Sequence, residues 1–527
     1  MRRSSKILFP LFTLLFATAA YTNNGIGYNC CPCECGSQSH TTFAARQLFQ
    51  PASPEYITGF RDRLSAAECG KGGAFQIAVF GGKSTEGRKL ATYFTPFCKS
   101  HLLARDSNVD CCEDLISRNF NVIQEAPFES TLSFCPCMSV FGVGLAYKQT
   151  LKNLKEDECE KKDLWIEISA PITRVETNMC MKECILTDEA EALEVPGFNQ
   201  QFFNSMSNAF RQCAWCYGKI ACNCKMVRWR LADIVVKLGY ELAKCDCCFF
   251  EGYVSALIPT GNYRTAQYVF EPMVGHARHW GIGIGSNFRF DVWKNCAQDN
   301  IIEFAFDTYS HYLFKRREVR SFDLKYKPWS RYMEVYKNKA QATEANLAEE
   351  QAVKKHLSSP GINHFTKCLC VYPGIAATFN TAAIYSGENF RAEIGYNFFA
   401  RQAECVRLEC CTWQEGPALK DAEGGGNTNG LRTINKNYSS QLDECTGIDA
   451  ALDLDNYDKN IIRACDIDLD SAAHPAFFSN TVYLSAGAHW DEKCTPAFFD
   501  VGGSYEFGCE NAVLNRWTLW LKGGLSF

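Results

Sequence analysis

The sequence predicts an all-β protein, a transmembrane antiparallel β-barrel of roughly 12–16 strands with long loops and some short helices. Three observations predict it. Segments of alternating apolar and polar residues recur along the 527 residues. Many of these runs reach about 10–13 residues, longer than globular strands of about 5–6. Aromatic residues stand near both ends of their apolar faces, as in Trp280 and Phe290, Phe304 and Phe314, and Trp517 and Phe527.

The chain begins with Arg2, Arg3 and Lys6, an apolar stretch from Ile7 to Ala17, and the small-x-small triplet Ala17-Thr18-Ala19. A charged n-region, a short h-region and such a triplet predict a cleaved export signal over 1–19, since the apolar run is too short to span a bilayer. Residues 20–70 read as a cysteine-rich segment, periplasmic or plug-like, and 71–527 as the barrel. No later stretch has the eighteen apolar residues of a helical span. Net charge is −5, so no basic field points to nucleic acid. All 30 cysteines lie after the signal, as an oxidising compartment permits.

Strands follow in order. Phe75–Val79, Phe141–Tyr147, Leu164–Ala170 and Val254–Ile258 are short alternating runs, and Arg228–Leu242 is a long one with Asp233, Lys237 and Glu241 on its polar side. In Trp280–Val292 the apolar parity opposes glycines, Arg289 and Asp291; in Ile302–Phe314 it opposes Glu303, Asp307 and His311. Phe390–Phe399 sets Arg391 and Glu393 against Ile394 and Tyr396, and Asn480–Trp490 is a weaker member. Ala497–Phe507 carries Asp500 and Glu506, and the final run Arg516–Phe527 carries Lys522. A soluble sandwich would bury such apolar faces against each other, but the run length and the aromatic spacing favour lipid. Ten residues at about 3.3 Å, tilted near 45°, cover about 23 Å, the height between two aromatic girdles.

Long inserts, about 98–131, 171–224, 315–364 and 404–479, alternate with short turns such as Ser386-Gly387-Glu388-Asn389. With Phe527 at the periplasmic end, 404–479 and 510–515 fall outside and 491–496 falls inside, matching the usual loop asymmetry. The run 338–357 reads as a polar helix, either outside the barrel or folded into its lumen.

Several phrases go further: "FQPASPEYITGFRDRL" (49–64), "VFGGKSTEGRKLATYF" (79–94), "ALIPTGNYRTAQYVFEPMVGHARHWGIGIG" (256–285), "RSFDLKYKPWSRYM" (320–333) and "AEIGYNFFARQAE" (392–404). With them the chain resembles a family of outer-membrane barrel proteins from cysteine-bearing bacterial envelopes, and its "PTG…FEPMVG" segment is similar to porin-like transporters. The resemblance implies a bacterial outer-membrane address and brings no catalytic residues. The end of the last strand, Leu525 and Phe527, resembles the C-terminal assembly signal of such barrels, which implies the barrel-insertion machinery and outer-membrane lipid as partners.

Enzymatic motifs fail on geometry. "GGKST" (81–85) lacks the earlier glycine of a phosphate loop, position 77 being Ile. Ser310 and His311 point to opposite faces of a strand, and no G-x-S-x-G is present. His276 and His279 have no carboxylate between them. No enzyme, metal site or cofactor is expected.

The cysteine clusters Cys30, Cys31, Cys33 and Cys35; Cys135 and Cys137; Cys213 and Cys216; Cys222 and Cys224; Cys245, Cys247 and Cys248; and Cys368 and Cys370 fit disulfides or cross-links to other copies or envelope proteins. Zinc and C-x-x-C redox chemistry are the other readings.

The leading function is a porin-like passive channel for small hydrophilic solutes, with Asp233, Lys237, Arg289, Asp291, Glu303, Asp307, His311, Arg391, Glu393, Arg401, Asp500, Glu506 and Lys522 as candidate lumen residues. The alternative is a disulfide-cross-linked structural or surface-interaction protein of the envelope with no transport activity.

Overall fold

A computed structural model of the chain describes residues 39–61, 72–106, 114–122, 127–153, 163–187, 202–221, 223–245, 247–295, 300–341, 358–409, 412–419, 461–490 and 494–527. The expected signal (1–19), Cys30 to Cys35, Cys222, most of the expected helix 338–357 and the Gly/Asn-rich part of 404–479 lie outside these residues.

Twelve antiparallel strands close into a barrel. They are β1 (Gly73–Ser84), β2 (Cys137–Asn153), β3 (Asp163–Asn178), β4 (Ile234–Cys245), β5 (Cys248–Ile258), β6 (Gly281–Lys294), β7 (Ile301–Leu313), β8 (Gly374–Ser386), β9 (Phe390–Arg401), β10 (Phe477–Trp490), β11 (Ala497–Phe507) and β12 (Arg516–Ser526). From β3 to β12 each strand pairs with the next, and β2 pairs with both β1 and β3. The ring closes where β1 meets β12, from Ala74 opposite Ser526 to Ser84 opposite Arg516. Phe527 extends this seam by exchanging both backbone hydrogen bonds with Gly73 (2.8 and 2.9 Å). Closure leaves no strand edge unpaired in the ring, the condition for a sheet surrounded by lipid.

The strand number is the lower end of the expected range, and several boundaries differ from the sequence reading: the short runs Phe75–Val79, Phe141–Tyr147 and Val254–Ile258 extend to Gly73–Ser84, Cys137–Asn153 and Cys248–Ile258. The run 228–242 is two strands: Met226–Leu231 lies on β3 at Ile172–Thr177, and β4 begins after a break at Ala232-Asp233. At the break the Ala232 amide still bonds Pro171 O of β3 (2.8 Å), and the Asp233 carboxylate turns to accept from the His276 amide (2.8 Å). Residues 171–178, expected as insert, continue β3. Strand β8 was not anticipated, because its inward residues Ala376, Thr378, Asn380, Ala382 and Ile384 contrast little with its outward ones.

The two rims differ. Residues 154–162, 246–247, 295–300, 387–389 and 491–496 make short links at one rim, shared with Phe527. Residues 85–136, 179–233, 259–280, 314–373, 402–476 and 508–515 join strands at the other. The described parts of these long inserts fold into a cap. It holds a four-stranded sheet (101–105, 114–116, 129–133, 182–185), a three-stranded sheet (316–321, 366–372, 405–407) and smaller pairings. Phe120, Phe210, Trp215, Trp329 and Tyr332 form one aromatic cluster in the cap, with Trp215 and Tyr332 stacked at 4.7 Å. Phe322, Phe365, Leu369 and Val371 form a second core beside it.

Outside, the barrel is apolar. Ile394, Leu484 and Leu519 are 60–62 % exposed, and Phe75, Ile77, Val79, Leu145, Ile168, Val254, Ile284, Val482 and Val501 share their face. Trp280, Phe314, Phe507 and Trp517 border this belt at the cap rim, and Phe304, Phe390, Trp490 and Phe527 at the short-turn rim.

Candidate functional site: a lumen filled by the chain's own N-terminal strap

Residues 39–61 run down the inside of the barrel, from the cap towards the short-turn rim. Pro51 and Pro54 withhold backbone donors, and Phe49 and Ala52 take left-handed φ of 57° and 61°, so this stretch cannot join a regular ladder. It folds back on itself locally: Gln50 N donates to Ser53 Oγ (3.1 Å), Phe49 N donates to Glu55 Oε1 (2.7 Å), and Pro54–Ile57 forms one helical turn, α1.

At the cap end, Ser39 Oγ donates to Asp323 (2.9 Å), and Thr41 Oγ1 donates to Ser321 O (2.6 Å). Phe43 then packs among Tyr93, Phe94, Phe270 and His474. Lower down, Arg46 donates to Asn397 Oδ1 (2.7 Å), faces Glu506 at 3.7 Å and lies over the Phe399 ring. Phe49 stacks on Phe80 and lies over Gly144, where an added Cβ would come within 2.4 Å of its ring. Tyr56 accepts from Lys237 Nζ (3.1 Å), whose other contact is Glu167 (2.8 Å). Thr58 joins Asp500 (3.1 Å) and Lys522 (2.7 Å). Last, Arg61 binds Asp307 through two nitrogens (2.8 and 3.1 Å) and Glu393 through a third.

The thirteen candidate lumen residues sort by height. Lys237, Asp307, Glu393, Asp500, Glu506 and Lys522 meet the strap or bind groups that do. Asp233 reaches the strap through His276, which it holds at 2.7 Å and whose Nε2 lies 3.3 Å from Gln50 Nε2, and His311 lies against His276 and Tyr309. Arg391 is buried on the same wall as Glu393. Arg289, Glu303 and Asp291 lie near the short-turn rim and are half-buried; Arg289 faces Glu303 at 3.6 Å, and Asp291 pairs with Lys294 (2.7 Å). Arg401 belongs to the junction with the cap, where it donates to Glu404 (2.7 Å) and to Ala44 O of the strap (3.4 Å).

At that junction Arg320 donates to Glu318 and Glu404 (3.0 Å each), and Arg264 faces Glu318 at 3.2 Å. Arg264 also donates to Phe43 O (2.9 Å), so the cluster grips the strap as it enters. Burial opposes ionisation of Glu318, but Arg320, His279 and Arg264 outweigh it and hold this carboxyl at about 2. A cavity of about 40 Å³ remains between strap and cluster, room for a few waters at most.

Asp307, Glu393, Lys237, Asp500, Glu506 and Lys522 are each at most 5 % exposed. A water-filled pore would leave such side chains wet. Here the strap supplies Arg61 to Asp307 and Glu393, Arg46 to Glu506, and hydrogen bonds of Tyr56 and Thr58 with Lys237, Asp500 and Lys522, the partners that buried ions require. Sequence reasoning singled out wall residues by their alternation but not Arg46, Tyr56, Thr58 and Arg61, which sit in a stretch with no period. Their partners lie hundreds of residues away, and only the isolated charges in a proline-bearing segment hinted at burial.

The cysteines are distributed unevenly. Cys98, Cys135, Cys137, Cys180, Cys184, Cys213, Cys216, Cys224, Cys368, Cys370, Cys405, Cys465 and Cys509 lie on the cap side, and Cys247 and Cys494 on the short-turn side. Cys245 and Cys248 face each other across the β4–β5 hairpin. Among the described residues no group of three or more potential ligands is placed to hold a metal ion. Leu525 and Phe527 face outward on β12, with Phe527 stacked near Tyr147.

No protein-family model matches the chain, and no curated protein matches it. Among solved structures it is similar to an outer membrane channel from Pseudomonas putida F1 (8 % identity, 86 % of this chain and 94 % of that one, TM-score 0.34). It is also similar to the transport unit of the autotransporter AIDA-I from Escherichia coli (6 %, 90 % and 94 %, TM-score 0.33). A third similar structure is the outer-membrane expressed OmpT of Vibrio cholerae (6 %, 86 % and 97 %, TM-score 0.22).

Proposed function

We propose that the protein is an outer-membrane β-barrel that anchors a cysteine-bearing cap at the bacterial surface, with the cap rather than the lumen as its working face. Support for the membrane address is the closed ring with its outward apolar belt, a contiguous exposed apolar surface that runs round the strands. The observation that carries the anchoring role is the strap. It fills the lumen with aromatic rings and matched charges, which weighs against steady passive conduction of solutes. A porin-like channel, the other reading, requires the strap to leave.

Cap thiols fit the structural or surface-interaction role. Cys213 and Cys216 are exposed just after a short helix, Met206–Ala209, and are free to meet cysteines of a neighbouring envelope protein or a second copy. Envelopes separated by electrophoresis without reductant should show the protein in high-mass bands that collapse to monomer on reduction. Those bands should weaken when Cys213 and Cys216 are both changed to Ser. Monomer alone in unreduced envelopes would overturn the cross-linking role.

A further inference from the structure

The β2–β3 hairpin runs directly into the cap. Three residues, 134–136, separate β2 from the cap strand 129–133, and three, 179–181, separate β3 from the cap strand 182–185. Cys137 opens β2 opposite Asn178, and Cys180 sits in the turn that leaves β3. That turn is tightly set: Cys180 has φ 46°, its amide donates to Asn178 Oδ1 (2.7 Å), and Met179 O accepts from Cys135 N (3.3 Å). The result places the Cys137 and Cys180 sulfurs 3.5 Å apart. Both are partly accessible, and Cys135 beside them is exposed.

We infer that Cys137 and Cys180 are a thiol–disulfide exchange site whose oxidation staples the two chain crossings between barrel and cap. The co-reactant is a disulfide RS–SR, either of a small molecule or of a thiol-exchange protein. Cys137 attacks as thiolate, the RS–SR bond breaks, and one RS⁻ leaves with the electron pair. Cys180 gives up its proton and attacks the Cys137 sulfur, expelling the second RS⁻ and forming the Cys137–Cys180 bond. Two electrons pass from the protein to RS–SR, and the two protons end on two RSH. The order of attack follows the surroundings. Burial and the hydrogen bond with Cys137 push the Cys180 thiol up to about 12, while Cys137 lies near the Lys225 ammonium. The site concerns bonds within one chain, so it stands or fails separately from cross-links between proteins and from conduction.

The test uses the full-length protein in detergent, reduced, reoxidised with oxidised glutathione, blocked with N-ethylmaleimide and digested with trypsin without reductant. Mass spectrometry should find a peptide joined through Cys137 and Cys180 that separates on adding dithiothreitol. In Cys180→Ser, Cys137 should become alkylated or glutathionylated. The wild-type map is decisive even if that variant does not fold. Both cysteines carrying maleimide after oxidation, or either joined mainly to another cysteine such as Cys135, would overturn the assignment.

Discussion

Arg61 is the residue on which the lumen's electrostatics turn. It stands between Asp307 and Glu393, both buried, and nothing in the local sequence announces either partner. Replacing it by Ala removes the cation that both carboxylates bind directly, a loss of about 3–5 kcal/mol for a broken buried pair. Arg61→Ala should therefore lower the urea midpoint of the reconstituted barrel, while Glu393→Gln in the same background should recover part of the loss. An unchanged midpoint in Arg61→Ala would show that the strap does not dock there.

The cap has its own titration. Burial lowers His40 to about 4 and His474 to about 3, both from 6.5. Between those values the unfolded chain binds protons that the folded cap refuses, so stability falls as pH drops from 6.5 through 4 and then 3. Glu318, held at about 2, adds a loss that runs from about 4.5 down to 2 as its ion pairs are protonated. Tryptophan fluorescence of the cap cluster should thus report acid unfolding that starts below about pH 6.5, with His40 alone worth on the order of 3 kcal/mol. A flat profile from pH 7 to 4 would contradict the buried, neutral state of these rings.

At the scale of elements, what was legible was whatever carries a strong period. β6, β7, β9, β11 and β12 show bulky residues on one parity and charges on the other, because one face of each meets apolar surroundings and the other polar ones. β8 hides because Ala and Thr stand on both faces, so its place in the ring is set by its neighbours, with Asn380 donating to Asp307 (3.2 Å) and Tyr483 (3.0 Å). The strap hides for a different reason: it is irregular chain held by hydrogen bonds such as those to Lys237, Asp307 and Lys522, 181, 246 and 464 residues away. Alternation also makes a sharp prediction on β12. Leu519→Arg places a charge on the outward belt and should cost about 2–4 kcal/mol in a bilayer, whereas on a water-exposed face it would change stability by under about 0.5 kcal/mol. Folding of the variant into liposomes, followed by urea titration, separates the two surroundings of this face.

For the whole molecule, the rims give the orientation. If the cap faces outward, a membrane-impermeant maleimide applied to intact cells should label cap thiols such as Cys213 and Cys216 and spare Cys247 and Cys494 at the opposite rim. Labelling in the reverse order would invert the protein. The strap then enters from the outer side and reaches Asp307 and Glu393 on the inner wall through Arg61, so the chain occupies much of its own channel. The most direct test is planar-bilayer conductance of the wild type beside a variant lacking residues 39–61, both checked for insertion. The account predicts silence from the wild type and stable conductance steps from the deletion variant. Steady steps from the wild type, with the strap still docked by protease protection, would contradict it and return the lumen to solute transport.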